Sequence, residues 1–161
     1  MSLKEEFELL RRVPLFADIE PAKLKLLVFM SERVGYDPGK IMMRQGDPGD
    51  AAYLIIDGQA EVIVETPAGP VTVDMLGANE IVGEIAILCN VPRAATVRAK
   101  NRLIALRIPK DTFIRMVREF PTMAVAIMQE LAQRLQNTNN QLRAARSEIN
   151  QLRAKTAANA A

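Results

Sequence analysis

The chain has no histidine and one cysteine, Cys89, in 161 residues, and those two shortages remove several kinds of chemistry. A lone cysteine cannot close an internal disulfide. Without histidine there is no imidazole base and no histidine metal site. An enzyme would need a nucleophile–base pair or a metal constellation that this composition does not offer, so no catalytic activity and no metal cofactor are expected. Aromatic residues make up 4% of the chain against 49% hydrophobic, which points to an aliphatic core. No run reaches the ~18 apolar residues of a membrane span. The opening Met1-Ser2-Leu3-Lys4-Glu5-Glu6 lacks the pattern of a secretory leader. A cytoplasmic setting without a membrane partner is expected.

The length suits one domain, or one domain with an appendage. A net charge of +2 hides an asymmetry: residues 131–161 carry five Lys or Arg and one Glu, so they sum to +4 and residues 1–130 to −2. Phe7, Leu10 and Val13 share one face of a short amphipathic helix over Lys4–Val13, which Pro14-Leu15-Phe16 ends. Pro21 suits the first position of a second helix reaching about Met30. From Arg33 the pattern changes to strands. Gly35, Pro38-Gly39, Gly46-Asp47-Pro48-Gly49, Asp57-Gly58 and Pro67-Ala68-Gly69-Pro70 punctuate short apolar runs, a rhythm that predicts an antiparallel sandwich or barrel. Asp57-Gly58, between Tyr53-Leu54-Ile55-Ile56 and Ala60-Glu61-Val62-Ile63-Val64, is the strongest hairpin signal. Two strands are expected over Ala95–Ala99 and Leu103–Ile108, then a short helix around Phe113, Met116 and Val117.

The stretch with the most chemistry is Gly83-Glu84-Ile85-Ala86-Ile87-Leu88-Cys89-Asn90-Val91-Pro92-Arg93-Ala94-Ala95-Thr96-Val97, where Glu84 and Arg93 stand nine residues apart in an apolar run. Charges in such a setting need partners, since desolvation costs several kcal/mol. Gly83 through Leu88 reads as about one and a half helical turns beginning at a glycine, where backbone can approach a ligand. First amides of a helix beside an arginine suit an anion, most often phosphate. A carboxylate accepts hydrogen bonds from sugar hydroxyls, so Glu84 with Arg93 points to a nucleotide. A Glu84–Arg93 ion pair bracing a loop is the structural alternative. For Cys89, a reactive thiol near a helix end stands beside plain filling of space.

This stretch resembles the phosphate-binding cassette of cyclic-nucleotide-binding domains, as in the catabolite activator protein and the regulatory subunits of cAMP-dependent protein kinase. Gly83-Glu84, Ala86 and Pro92-Arg93-Ala94-Ala95-Thr96-Val97 carry the resemblance, while Val82 departs from the aromatic residue common before Gly-Glu. Pro38-Gly39, Gly46-Asp47 through Gly49-Asp50, Tyr53-Leu54-Ile55 and Gly58 are similar to the family's strand-and-turn pattern, with the glycines serving turns. The resemblance implies a jelly-roll β-barrel with flanking helices over roughly residues 8 to 140. It implies ligand contacts from Gly83, Glu84, Ile85, Ala86, Arg93, Ala94 and Ala95. In the family a threonine or serine after the arginine tends to accompany cGMP selectivity; Ala94 stands there, so cAMP is expected to bind better than cGMP.

Pro121 opens a long helix. Met128, Leu131, Leu135, Thr138, Leu142, Ala145, Ile149 and Leu152 follow a 3-4 alternation, the seam of a coiled coil, and predict a homodimer. In a parallel pair Glu148 would face Arg153 of the other copy. Leu131 to Asn139 is similar to the catabolite activator's long helix, which implies that Thr138 of one subunit and Asn139 of the other reach the base. A polar seam residue that fixes register is a second account of Thr138. The expected division is a barrel with N-terminal helices over 1–120, a dimerisation helix over 121–154 and a flexible tail over 155–161. The reading that follows is a non-catalytic cAMP sensor without a DNA-binding domain, its downstream partner unspecified. The alternative is the sensor fragment of a catabolite-activator-like transcription regulator.

Overall fold

The computed structural model describes residues 2–161. Helix α1, Leu3–Arg11, is capped at Ser2, whose hydroxyl accepts from the Glu5 amide while the Glu5 carboxylate accepts from the Ser2 amide. This reciprocal pair satisfies two amides that the first turn cannot. A 3-10 turn over Pro14–Phe16 leads to α2, Pro21–Met30, which begins at the expected proline.

Eight strands follow: β1 Glu32–Tyr36, β2 Ile41–Met43, β3 Ala51–Asp57, β4 Ala60–Thr66, β5 Gly69–Leu76, β6 Ile81–Val82, β7 Thr96–Ala99 and β8 Leu103–Pro109. They form two four-stranded antiparallel sheets, in the orders β1-β8-β3-β6 and β2-β7-β4-β5. Met43, Tyr53, Ile55, Val97, Leu103 and Ala105 belong to one buried cluster drawn from both sheets. β3 is buried at five consecutive positions, Ala51 to Ile55, which explains its unbroken apolar run. Helix α3, Glu84–Leu88, lies between β6 and β7, and α4, Lys110–Glu119, follows β8 directly.

Two sequence expectations change here. Asp57-Gly58 does not close a hairpin: β3 pairs with β6 and β8, whereas β4 pairs with β5 and β7, so the dipeptide is a corner between sheets. Gly58 has φ +92, and a Cβ there would meet the Leu103 Cα at 2.8 Å. The corner is fixed from outside by the turn at 100–102, where the Gln59 amide donates to Asn101 Oδ1 at 2.8 Å and the Lys100 amide to the Gln59 carbonyl at 2.9 Å. A left-handed glycine serves a corner and a hairpin equally, so local sequence does not separate them. The hairpin forms instead between β4 and β5, around Pro67-Ala68, with Pro70 on an edge strand where a missing amide is tolerated. Gly35, expected in a turn, lies inside β1 opposite Ile104.

Helix α5, Pro121–Asn159, is 39 residues long. It runs through the alanine-rich stretch expected to be a flexible tail, because alanine is the strongest helix former. Thr156 donates its hydroxyl to the Leu152 carbonyl there, at 2.9 Å. The chain forms two compact units, one ending at Met123 and one spanning Ala124–Ala161. Within the second unit, Met128, Leu135, Leu142, Ile149 and Leu152 of the heptad seam are exposed.

Candidate functional site

Gly83 caps α3 with φ +87, and a side chain on it would also collide with Nη1 of Arg93. Both the left-handed backbone and the close approach require glycine. The five-residue helix turns Glu84, Ala86 and Ile87 inward and leaves Ile85 and Leu88 exposed. Ala86 has to be small because the β2–β3 loop presses on it: a Cβ at Gly49 would lie 2.7 Å from that of Ala86. The chain then returns through exposed Cys89, with the Val91 amide donating to the Ala86 carbonyl at 3.2 Å.

Arg93 is stitched to the same loop by its backbone. Its amide donates to the Asp47 carbonyl, and the Gly46 amide donates to the Arg93 carbonyl, each at 2.8 Å. The side chain is 3% exposed. Nη1 donates to the Gly83 carbonyl at 3.0 Å, while Nη2 donates to the Ala51 carbonyl at 2.7 Å and to Asp50 Oδ1 at 3.1 Å. These three bonds leave two of the guanidinium's five N–H groups, Nε–H and one on Nη1, for another acceptor. A buried cation held by two neutral carbonyls and one carboxylate is prepared for an anion, since adding one completes its set of acceptors.

Asp50 has a second cation. Its Oδ2 accepts from Arg107 Nη2 at 2.9 Å, and Arg107 Nη1 lies 4.0 Å from Glu32. Partial burial pushes the Asp50 carboxyl up, but hydrogen bonding and charge from Arg107, with Arg93 behind it, outweigh that and hold it below its ordinary value. Tyr36, inside the barrel, has its phenol pushed up to about 12, first by burial and then by the neighbouring Tyr53.

Beside Arg93 opens a cleft of about 360 Å³, with Met42, Met43, Arg44, Asp50 and Tyr53 among its walls. That is within the range of small-ligand sites. Gly83, Glu84, Ile85 and Ala86 are consecutive through the cap and first turn of α3, and Gly83 touches Arg93 directly. Glu84 is 1% exposed. Ala94 is exposed and Ala95 half-buried, just past the arginine. Thr138 and Asn139 are exposed positions of α5, in the other compact unit. The residues that sequence reading missed are Gly49, Asp50 and Arg107. Gly49 is not only a turn residue, because it admits Ala86. Asp50, read only as part of a turn, sits 43 positions from Arg93, and nothing in the sequence marked their pairing. Among the described residues no group of three or more Cys, Asp or Glu is placed to hold a metal, and no helix is long and apolar enough to cross a membrane.

Two antiparallel sheets closed over an aliphatic core, with a glycine-capped turn and a buried arginine beside a cleft, define a ligand-sensing module. Residues 33–120 match the cyclic nucleotide-binding domain family, and the chain belongs to that family. It is 33% identical over 108 residues to a cAMP-dependent protein kinase regulatory subunit of Emericella nidulans, a match covering 67% of this chain and 26% of that protein. It is 26% identical over 136 residues to the CRP-like cAMP-activated global transcriptional regulator of Mycobacterium tuberculosis, covering 84% of this chain and 61% of the regulator. Among solved structures, the catabolite activator protein of Thermus thermophilus superposes with a TM-score of 0.70 at 28% identity, over 80% of this chain and 61% of that one. The chain thus spans less than two thirds of each of these relatives.

Proposed function

We propose that this cyclic-nucleotide-binding domain is a cAMP-preferring, non-catalytic sensor that works as a homodimer. The observation that carries the reading is Arg93, buried beside the cleft with Nε–H and one Nη1–H still to be used. The cyclic phosphate takes those donors, and the ribose hydroxyl binds Glu84. Relatives described as cAMP-dependent and cAMP-activated support the choice of cAMP. Ala94 supports it too, having no hydroxyl to offer a guanine amino group.

The dimer reading rests on α5. Its seam residues Met128, Leu135, Leu142, Ile149 and Leu152 are exposed and stay on one stripe of the helix. At ~1.5 Å per residue, the 39-residue helix is roughly 58 Å long. A second copy in parallel register covers the stripe and sets Glu148 against Arg153. Thr138 and Asn139 then serve the base, one from each copy. In the cell the unit is a soluble cytoplasmic protein.

Isothermal calorimetry with cAMP and cGMP tests the ligand assignment. Tighter binding of cAMP is expected, and tighter binding of cGMP would overturn the preference. A second reading has the unit as the sensor part of a transcription regulator, favoured by the 136-residue match to the Mycobacterium tuberculosis regulator. The intact mass of the protein from its native source separates the two.

A further inference from the structure

Arg107 faces the inside of the barrel, although charged side chains seldom do. Its place is set by register. On β8 it stands opposite Glu32 of β1 on one side and Tyr53 of β3 on the other. The row Glu32–Arg107–Tyr53 therefore crosses the sheet on one face, with the Arg107 guanidinium bonded to Asp50 at 2.9 Å. Rooted in an interior strand between those two neighbours and 27% exposed, the Arg107 side chain has less freedom to move than the carboxylate it bonds. Asp50 is the opposite case. It immediately precedes β3, and its side chain is 64% exposed.

The carboxylate is divided between two arginines, Oδ1 to Arg93 at 3.1 Å and Oδ2 to Arg107 at 2.9 Å. A carboxylate beside one guanidinium ordinarily closes both oxygens onto it, because the two-bond fork is the stronger geometry. Here the shorter bond goes to Arg107, so Arg93 receives only one oxygen. We propose that Arg107 is a positioning residue for ligand binding: it holds back one oxygen of Asp50, so that Arg93 is oriented by the carboxylate without being covered by it. The inference rests on the reading of Arg93 as the anchor of a cyclic phosphate. Without Arg107, Asp50 turns its second oxygen onto Arg93 and competes with the phosphate for the same N–H groups. Asp50 is thus neutral or helpful while Arg107 is present, and inhibitory when it is not.

The test is a double-mutant cycle in the full chain with two readouts. Arg107→Met keeps the length of the side chain and removes the charge, and Asp50→Ala removes the competitor. The first readout is the Arg93 Nε–H signal in nitrogen–proton spectra of the ligand-free protein. It should shift on Arg107→Met and stay where it is when the same change is made in the Asp50→Ala protein. An unshifted signal in both backgrounds overturns the proposal with no ligand involved. The second is cAMP affinity by calorimetry. Arg107→Met should weaken it about fivefold, Arg107→Lys should restore most of that, and Asp50→Ala/Arg107→Met should bind as Asp50→Ala does. An equal loss in both backgrounds would mean only long-range loss of positive charge, and it contradicts the positioning role. If wild-type protein does not bind cAMP, the functional reading fails, while the spectra still decide whether Arg107 restrains Asp50.

Discussion

The turn from Gly83 to Arg93 and the helix from Ala124 onward treat their demanding groups in opposite ways. Around the turn each awkward group has a partner within the chain: Arg93 has Gly83, Ala51 and Asp50, and the Arg93 backbone is paired with Gly46 and Asp47. Along the long helix the large apolar residues Leu135, Leu142, Ile149 and Leu152 lie exposed, and no strand or loop of that unit covers them. The difference separates two sources of order. The barrel's is internal, whereas the helix leaves its seam uncovered, and on the proposed reading association supplies the packing from which most helix stability in proteins comes. On the proposed reading, the phosphate anchor sits in the barrel and the dimer seam on the helix, and the base contacts of Thr138 and Asn139 couple the two by linkage.

The change with the largest expected effect strikes the turn. Arg93→Ala removes the buried cation proposed to pair with the cyclic phosphate, a loss of roughly 2–5 kcal/mol, so cAMP binding should fall at least ~30-fold by calorimetry. Circular dichroism should still report the folded barrel; unchanged affinity in that folded variant would remove Arg93 from the site. Glu84→Ala takes away one charge-assisted hydrogen bond, worth ~1.5–3 kcal/mol. A comparable loss should appear when 2′-deoxy-cAMP is titrated into wild-type protein. If the deoxy ligand binds as well as cAMP, Glu84 does not hold the ribose.

The helix is broken separately. Leu142→Asp with Ile149→Asp places two like charges per chain in the seam, and sedimentation should show dimers for wild type and monomers for the variant. Because the barrel's contacts are its own, its thermal transition should survive. Linkage adds a sharper expectation: cAMP should lower the dimer dissociation constant, and the monomeric variant should bind it more weakly. Equal affinity in a monomer would make the helix a stalk and strike Thr138 and Asn139 from the site.

The smallest effect concerns the barrel alone. Burial and Tyr53 raise the Tyr36 phenol from 10.0 to about 12, so the neutral form is favoured in the fold. The stability this contributes is complete below the unfolded value and disappears as pH rises from 10 to about 12. Tyr36→Phe should flatten that alkaline limb in urea melts. A limb as steep as wild type would place the titration elsewhere.

What could be read in the sequence follows the same division. The turn was legible because its chemistry is contiguous: a glycine, an acid and an arginine within eleven residues need no fold to bring them together. The helices were legible from Pro21, Pro121 and the 3-4 spacing, since these signals act along the chain. Asp50 and Arg107 were not, because their meaning comes from pairing across β3 and β8, far from Arg93 in sequence. Asp57-Gly58 misled for a related reason: a left-handed glycine reports that the chain bends, while the partner of each strand is decided by core packing. The helical 155–159 stretch shows the limit of composition, because an alanine-rich sequence without an apolar stripe still extends a helix already nucleated.

The most direct test of the account is a nitrogen–proton titration of the protein with cAMP, observing backbone amides and arginine Nε–H signals together. The amides of Gly83, Glu84 and Ala94 and the Nε–H of Arg93 should move in step and saturate with one affinity. If cAMP leaves these four signals in place, or moves only signals remote from the cleft, Arg93 does not anchor a cyclic nucleotide.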